Sequence, residues 1–173
     1  MRRGCGASYD EQSKFVKIRE DSRLKVLAGR RVVLLGIGHP EMGDDAAGHE
    51  LARRLQERGF RGAIAAGNVP ENYLGPVLAL CPEVILIADA VEMGKPPGAW
   101  ALLDGADLAA GSLSTHDASL SLLMDYLTKE SEARCYLLGI QAKNRAGGEG
   151  ISPEVEETVT GLANVLGEIV ARI

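Results

Sequence analysis

The sequence predicts an α/β fold: a three-layer α/β/α sandwich on a mixed, mostly parallel five-stranded sheet whose fourth strand is antiparallel. Three observations lead there. Five short apolar runs alternate along the chain with segments of helical periodicity, the pattern of strands joined by crossover helices. About ten residues separate the third run, ending at Ala88, from the fourth, starting at Ala99. That is too short for a crossover helix, so the fourth strand must run antiparallel to the third. The composition suits a single core: 173 residues, 46% apolar, with only four Tyr, two Phe and one Trp. Val, Leu, Ile and Ala must fill the interior.

Residues 1–30 stand apart as an N-terminal extension, and the domain takes residues 31–173. Met1–Asp10 reads as frayed. Glu11–Leu27 reads as a charged helical lead-in, with Phe15, Ile18 and Val26 loosely on one face. Val32-Val33-Leu34-Leu35 is a continuous apolar run, the mark of a strand buried on both faces. Ala46–Arg58 then places Ala47, Leu51 and Leu55 at helical spacing and stops at Gly59. Ala63–Ala66 is a weaker second strand, and Asn72–Leu80 a short helix ending before Pro82. Val84–Ala88 is the most hydrophobic strand of the five. After the turn cluster Gly94-Lys95-Pro96-Pro97-Gly98, Ala99–Leu103 is the fourth strand. Asp117–Lys129 is a helix carrying Leu120, Leu123, Met124 and Leu127. Tyr136–Ile140 is the fifth strand, and Pro153–Arg172 closes the chain as a long helix.

Charge and cysteine usage exclude several classes of function. Nineteen basic against 24 acidic residues give a net charge of −5. With no dense Lys/Arg run, the electrostatic footprint of a nucleic-acid binder is missing. No apolar stretch approaches the ~20 residues of a membrane span. Met1-Arg2-Arg3 is followed by no apolar segment, so a secretory signal is not expected. Cys5, Cys81 and Cys135 are odd in number and form no CxxC, which reads as reduced and cytoplasmic, without disulfides or a cysteine zinc site. Cys81 is expected to pack as a small apolar residue. The 21 glycines need a reason, since each costs backbone entropy; they imply tight turns or close backbone approach.

Several of these glycines fall in Gly36-Ile37-Gly38-His39-Pro40-Glu41-Met42-Gly43-Asp44-Asp45, placed where a phosphate loop would be. A dinucleotide fingerprint needs glycine at the position of Glu41, and no Gly-Lys-Ser/Thr follows for a P-loop. Asp44 and Asp45 would also repel a phosphate from the next helix N-terminus. No nucleotide is therefore expected. In the plainest reading Asp44 is the N-cap and Asp45 complements the helix dipole. Asp89 ends the third strand, at the edge where open α/β sheets bind ligands; the alternative is a cap or turn residue. If strand one lies between strands two and three, Asp45 and Asp89 face each other across the topological switch point. His116 precedes the helix that returns from strand four to the same edge; the alternative makes Ser114 or Thr115 the N-cap and His116 merely exposed. Two carboxylates and an imidazole form an open O,O,N set suited to zinc or nickel. His39 and His49 are weaker candidates, His49 as a surface residue of its helix. No G-x-S-x-G elbow is present for a serine hydrolase.

These residues resemble the [NiFe]-hydrogenase maturation endopeptidases. The likeness lies in Leu35-Gly36-Ile37-Gly38-His39-Pro40-Glu41-Met42-Gly43-Asp44-Asp45-Ala46-Ala47-Gly48, Ile87-Ala88-Asp89-Ala90 and Ser114-Thr115-His116. Pro70-Glu71-Asn72, Met93-Gly94, Pro97-Gly98 and Leu138-Gly139-Ile140-Gln141 are most similar to the branch that processes the hydrogenase 3 (formate hydrogenlyase type) large subunit. The likeness spans roughly residues 31–170. It implies a phosphorylase/hydrolase-like sandwich and an endopeptidase that removes a C-terminal extension from the large-subunit precursor after nickel insertion. It also implies that Asp45, Asp89 and His116 contact metal and act in catalysis. The nickel is that of the precursor, bound transiently, and no permanent metal, nucleotide, nucleic acid or membrane is implied. Asp45 or Asp89 would serve as base, while nickel polarises the scissile carbonyl or activates a water. One departure stands out: the family usually has Asn where this chain has His39, which either retunes the loop or adds a fourth ligand. The alternatives are a non-cleaving, metal-sensing chaperone of the precursor, or another metallopeptidase or amidase on the same fold.

Overall fold

The structure, a computed structural model, describes residues 18–110 and 118–170. Its strands are β1 Val32–Ile37, β2 Ala63–Gly67, β3 Val84–Val91, β4 Trp100–Leu103 and β5 Arg134–Gln141. Its helices are α1 Ala47–Glu57, α2 Leu74–Ala79, α3 Gly105–Ala109, α4 Ala118–Ser131 and α5 Pro153–Val170. The strands form one sheet in the order β2-β1-β3-β5-β4. All neighbours are parallel except β4, which pairs antiparallel with β5 from Trp100↔Ile140 to Leu103↔Leu137. The short connection after β3 thus reverses the chain as expected, and β5 then inserts between β3 and β4.

Strand alternation divides the core into two layers. Val32, Leu34, Leu86 and Ala88 pack with Leu51 and Leu55 of α1 and Val155, Val159 and Leu162 of α5. Val33, Leu35, Ile85 and Ile87 pack with Val77 of α2 and Leu120, Met124 and Leu127 of α4. Because β1 and β3 are covered on both faces, their sequences read as unbroken apolar runs. β1 leads through α1 to β2 on one side, while β3 lies on the other. The order of the sheet therefore reverses at the carboxyl ends of β1 and β3, the place where open α/β sheets form a crevice.

Four local expectations change. The lead-in forms a 3-10 helix at Ser22–Leu27, capped by the Asp21 carboxylate, which accepts from Arg23 N. Its Leu24 and Leu27, together with Ile18, are buried in the core layer that holds α5. β3 does not end at Asp89 but continues to Val91, because its ladder with β5 runs on to Val91↔Gln141. The five-residue α3 was not anticipated; the Asp104 and Asp107 side chains close a reciprocal capping box around its first turn. Of the two described cysteines, Cys81 is exposed, with φ of 47° in the turn leaving α2, and Cys135 packs in the core. Burial pushes the Cys135 thiol up to about 12.

Candidate active site

The site begins where one ladder stops. β1 and β3 pair as far as Gly36↔Ala88. Beyond that point β3 keeps only β5 as partner, and β1 peels away into the loop 38–42. A crevice opens between them, and α1 is drawn close against its floor. A Cβ on Gly48 would lie 2.0 Å from the Ala88 carbonyl oxygen and 2.5 Å from that of Ile37. Only glycine lets the first turn of α1 rest on both strand ends. The loop itself folds back at Gly38, whose φ is 126° and whose Cβ would fall 1.7 Å from the Asp45 carbonyl oxygen. Two glycines thus press the chain carrying Asp45 onto the ends of β1 and β3, at Ile37 and Ala88.

Asp45 lies in the 3-10 turn Gly43–Ala46 that precedes α1, half-buried. Its Oδ2 accepts the His39 backbone N–H at 2.9 Å, so the carboxylate ties the loop together rather than serving only the helix dipole. Asp89 is half-buried on β3, directly after Ala88. By strand alternation it shares the face of Ile87 and Val91, the face covered by α4. His116 lies outside the described residues; the next described residue after it in the chain is Ala118, which opens α4. Among the described residues, no group of three or more His, Cys, Asp or Glu is arranged to hold a metal ion. The structure thus brings Asp45 and Asp89 to one edge and leaves the third expected member untested. His39 is half-buried in the loop, and its Nδ1 accepts the Glu41 backbone N–H at 3.2 Å. His49 is not a surface residue: it is half-buried on α1, with Nδ1 buried and no partner among the described residues.

The sequence reading missed the side chains that brace the crevice. Asp44 is fully buried and does not cap α1, whose N-cap, Ala46, has no side-chain hydrogen bond. Its Oδ2 accepts from Lys143 N (2.7 Å), Asn144 N (2.9 Å) and Ser152 Oγ (3.0 Å), and its Oδ1 from Ser152 N (2.6 Å). Its own N–H donates to the Asn144 carbonyl at 2.8 Å. Burial pushes this carboxyl upward, but the donors from Asn144, Ser152 and Lys143 outweigh it and hold the group below the usual aspartate range. Asp44 therefore pins the loop that follows β5 against the turn that carries Asp45. The buried Gln141 does the same for the chain leaving β3. Its Oε1 accepts from Met93 N (2.7 Å) and Lys95 N (3.2 Å), and its Nε2 donates to Glu92 and to the Ala142 carbonyl. Arg145, from the pinned loop, donates to the Ala90 carbonyl at 2.8 Å, next to Asp89.

Two carboxylates at the braced carboxyl edge of a sheet are a residue pair that can ligate a borderline divalent ion or take a proton from a water. Comparison with known proteins shows the chain's family. The family model described as hydrogenase maturation protease, HycI, matches residues 46–169. The hydrogenase 3 maturation protease of Escherichia coli K12 is 38% identical over 112 residues, covering 63% of this chain and 71% of that protein. The crystal structure of the [NiFe] hydrogenase maturation protease HycI from Thermococcus kodakarensis superposes with a TM-score of 0.76 at 28% identity, over 85% of this chain and 97% of that one. The solution structure of the endopeptidase HycI from Escherichia coli gives 0.66 at 29% identity, over 77% and 86%. The mixed five-stranded sandwich is the fold of these proteins. This chain belongs to the hydrogenase maturation protease family and is a peptidase.

Proposed function

We propose that this protein removes the C-terminal extension of a [NiFe]-hydrogenase large-subunit precursor once nickel has been inserted, and that Asp45, Asp89 and His116 meet that nickel. The reading is supported by the placement of Asp45 in the turn after β1 and of Asp89 on β3 directly beyond the last β1–β3 pair, in a chain of this protease family. Nickel arrives as part of the substrate, so an incomplete set of protein ligands is what the reaction calls for: the precursor fills the remaining positions. Contact with the ion places the scissile peptide beside the two carboxylates. One of them then accepts a proton from the attacking water, while the metal stabilises charge on the carbonyl oxygen. Asp44 and Gln141 support this arrangement from below by fixing the two loops that frame it.

The partner is thus the nickel-loaded large-subunit precursor, met in the cytoplasm; separately, no helix among the described residues is long and apolar enough to cross a membrane. The test is substitution at the edge. Asp45→Asn and Asp89→Asn should each abolish cleavage of nickel-loaded precursor, with circular dichroism and melting temperature close to wild type. Full activity in either variant refutes the assignment of that residue.

A further inference from the structure

His39 lies in the loop whose backbone N–H binds the Asp45 carboxylate, where a further metal ligand would be a natural guess. Its hydrogen bonds argue otherwise. Nδ1 accepts the backbone N–H of Glu41, two residues on, at 3.2 Å. This i to i+2 bond is the one an asparagine or aspartate side chain makes in an Asx turn. A ring whose Nδ1 accepts must carry its proton on Nε2 when neutral. The same residue's backbone N–H is given to Asp45 Oδ2 at 2.9 Å. One ring nitrogen therefore closes the turn, the peptide N–H orients Asp45, and the other ring nitrogen is an N–H with no lone pair in the ring plane.

We propose that His39 is a positioning residue and not a metal ligand: its ring closes an Asx-like turn that holds Asp45 in place and presents an N–H donor, not a lone pair, at the crevice. Metal binding through Nε2 would require moving the proton to Nδ1, where it would oppose the Glu41 N–H and release the turn. Asparagine is then the conservative replacement, since its Oδ1 makes the same turn bond and its amide presents the same kind of donor. Alanine removes both.

Two measurements decide this, and only the second rests on the peptidase reading. Long-range ¹⁵N–¹H correlation spectra of the full chain at about pH 8, above the ordinary histidine range, report the His39 tautomer. The proposal requires the proton on Nε2, with Nδ1 resonating well downfield as an unprotonated acceptor; a proton on Nδ1 overturns it. In cleavage of nickel-loaded precursor, His39→Asn should keep kcat/KM within about threefold of wild type, because the turn survives. His39→Ala should lose about tenfold to a hundredfold, mainly in kcat, as expected when a reacting group is misplaced. An asparagine variant as impaired as the alanine variant makes the imidazole itself necessary and overturns the proposal, as does an alanine variant of full activity. A wild-type protein that cuts no precursor strikes the proposed cleavage instead, and the tautomer measurement still decides His39.

Discussion

Removing the Asp44 carboxylate is the sharpest structural perturbation available. In Asp44→Ala, three backbone N–H groups (Lys143, Asn144, Ser152) and the Ser152 hydroxyl lose their acceptor in a place closed to water. A hydrogen bond to a charged group contributes ~1.5–3 kcal/mol, and a buried donor left without a partner costs ~1–3 kcal/mol. Summing four of these overshoots, because the donors share one carboxylate and the loop can relax outward to meet water. The expected loss is ~3–5 kcal/mol, the range seen when one side of a buried charged network is deleted. At ~2–4 °C per kcal/mol for a chain of this size, the melting temperature should fall by roughly 6–20 °C. Asp44→Asn should fare little better, since its amide turns two N–H groups toward donors. The effect also has a pH signature. Because the native carboxyl titrates below the usual range, its stabilisation is fully present above the ordinary aspartate pKa of ~3.9 and is lost as pH falls through the lower native value. Thermal or urea denaturation of wild type and both variants between about pH 7 and pH 3 reads both effects. A melting temperature within about 2 °C of wild type at neutral pH, or a stability gap that persists unchanged in acid, would refute the clamp.

Other consequences are direct. Gly48→Ala places a methyl group 2.0 Å from the Ala88 carbonyl oxygen, so α1 must lift from β1 and β3; expect at least ~1–3 kcal/mol of destabilisation by denaturation and lost cleavage, since Asp45 moves with it. Gln141→Leu strips the acceptor from Met93 N and Lys95 N, at ~1–3 kcal/mol for each donor left buried, read by the shift in urea midpoint. Iodoacetamide under native conditions should modify the exposed Cys81 and spare Cys135, whose buried thiol is pushed up to about 12; peptide mass spectrometry reports which.

The sheet was largely legible because its signals are local. Continuous apolar runs marked the doubly covered strands β1 and β3, and the ten-residue gap between Ala88 and Ala99 marked the reversal into β4. The edge holding Asp45 and Asp89 followed from the same reasoning, since strand ends locate the crevice of an α/β sheet. What escaped was non-local or too short. Asp44 looks like an N-cap in sequence because its true partners lie 99 to 108 residues away. Helix α3 has five residues, too few for periodicity, although Asp104 and Asp107 at capping-box spacing were the available sign. Ile18, Leu24 and Leu27 belong to the core without any regular pattern around them, because a 3-10 turn presents its apolar residues at a different spacing from an α-helix.

The most direct measurement is the intact mass of a hydrogenase large-subunit precursor incubated with this protein, with and without nickel loaded. Loss of a C-terminal peptide from the nickel-loaded precursor alone is the predicted result, since in the proposed reaction the ion is what Asp45 and Asp89 engage. Equal cleavage of nickel-free precursor would contradict gating by the metal, and an uncut nickel-loaded precursor would contradict the proposed reaction itself.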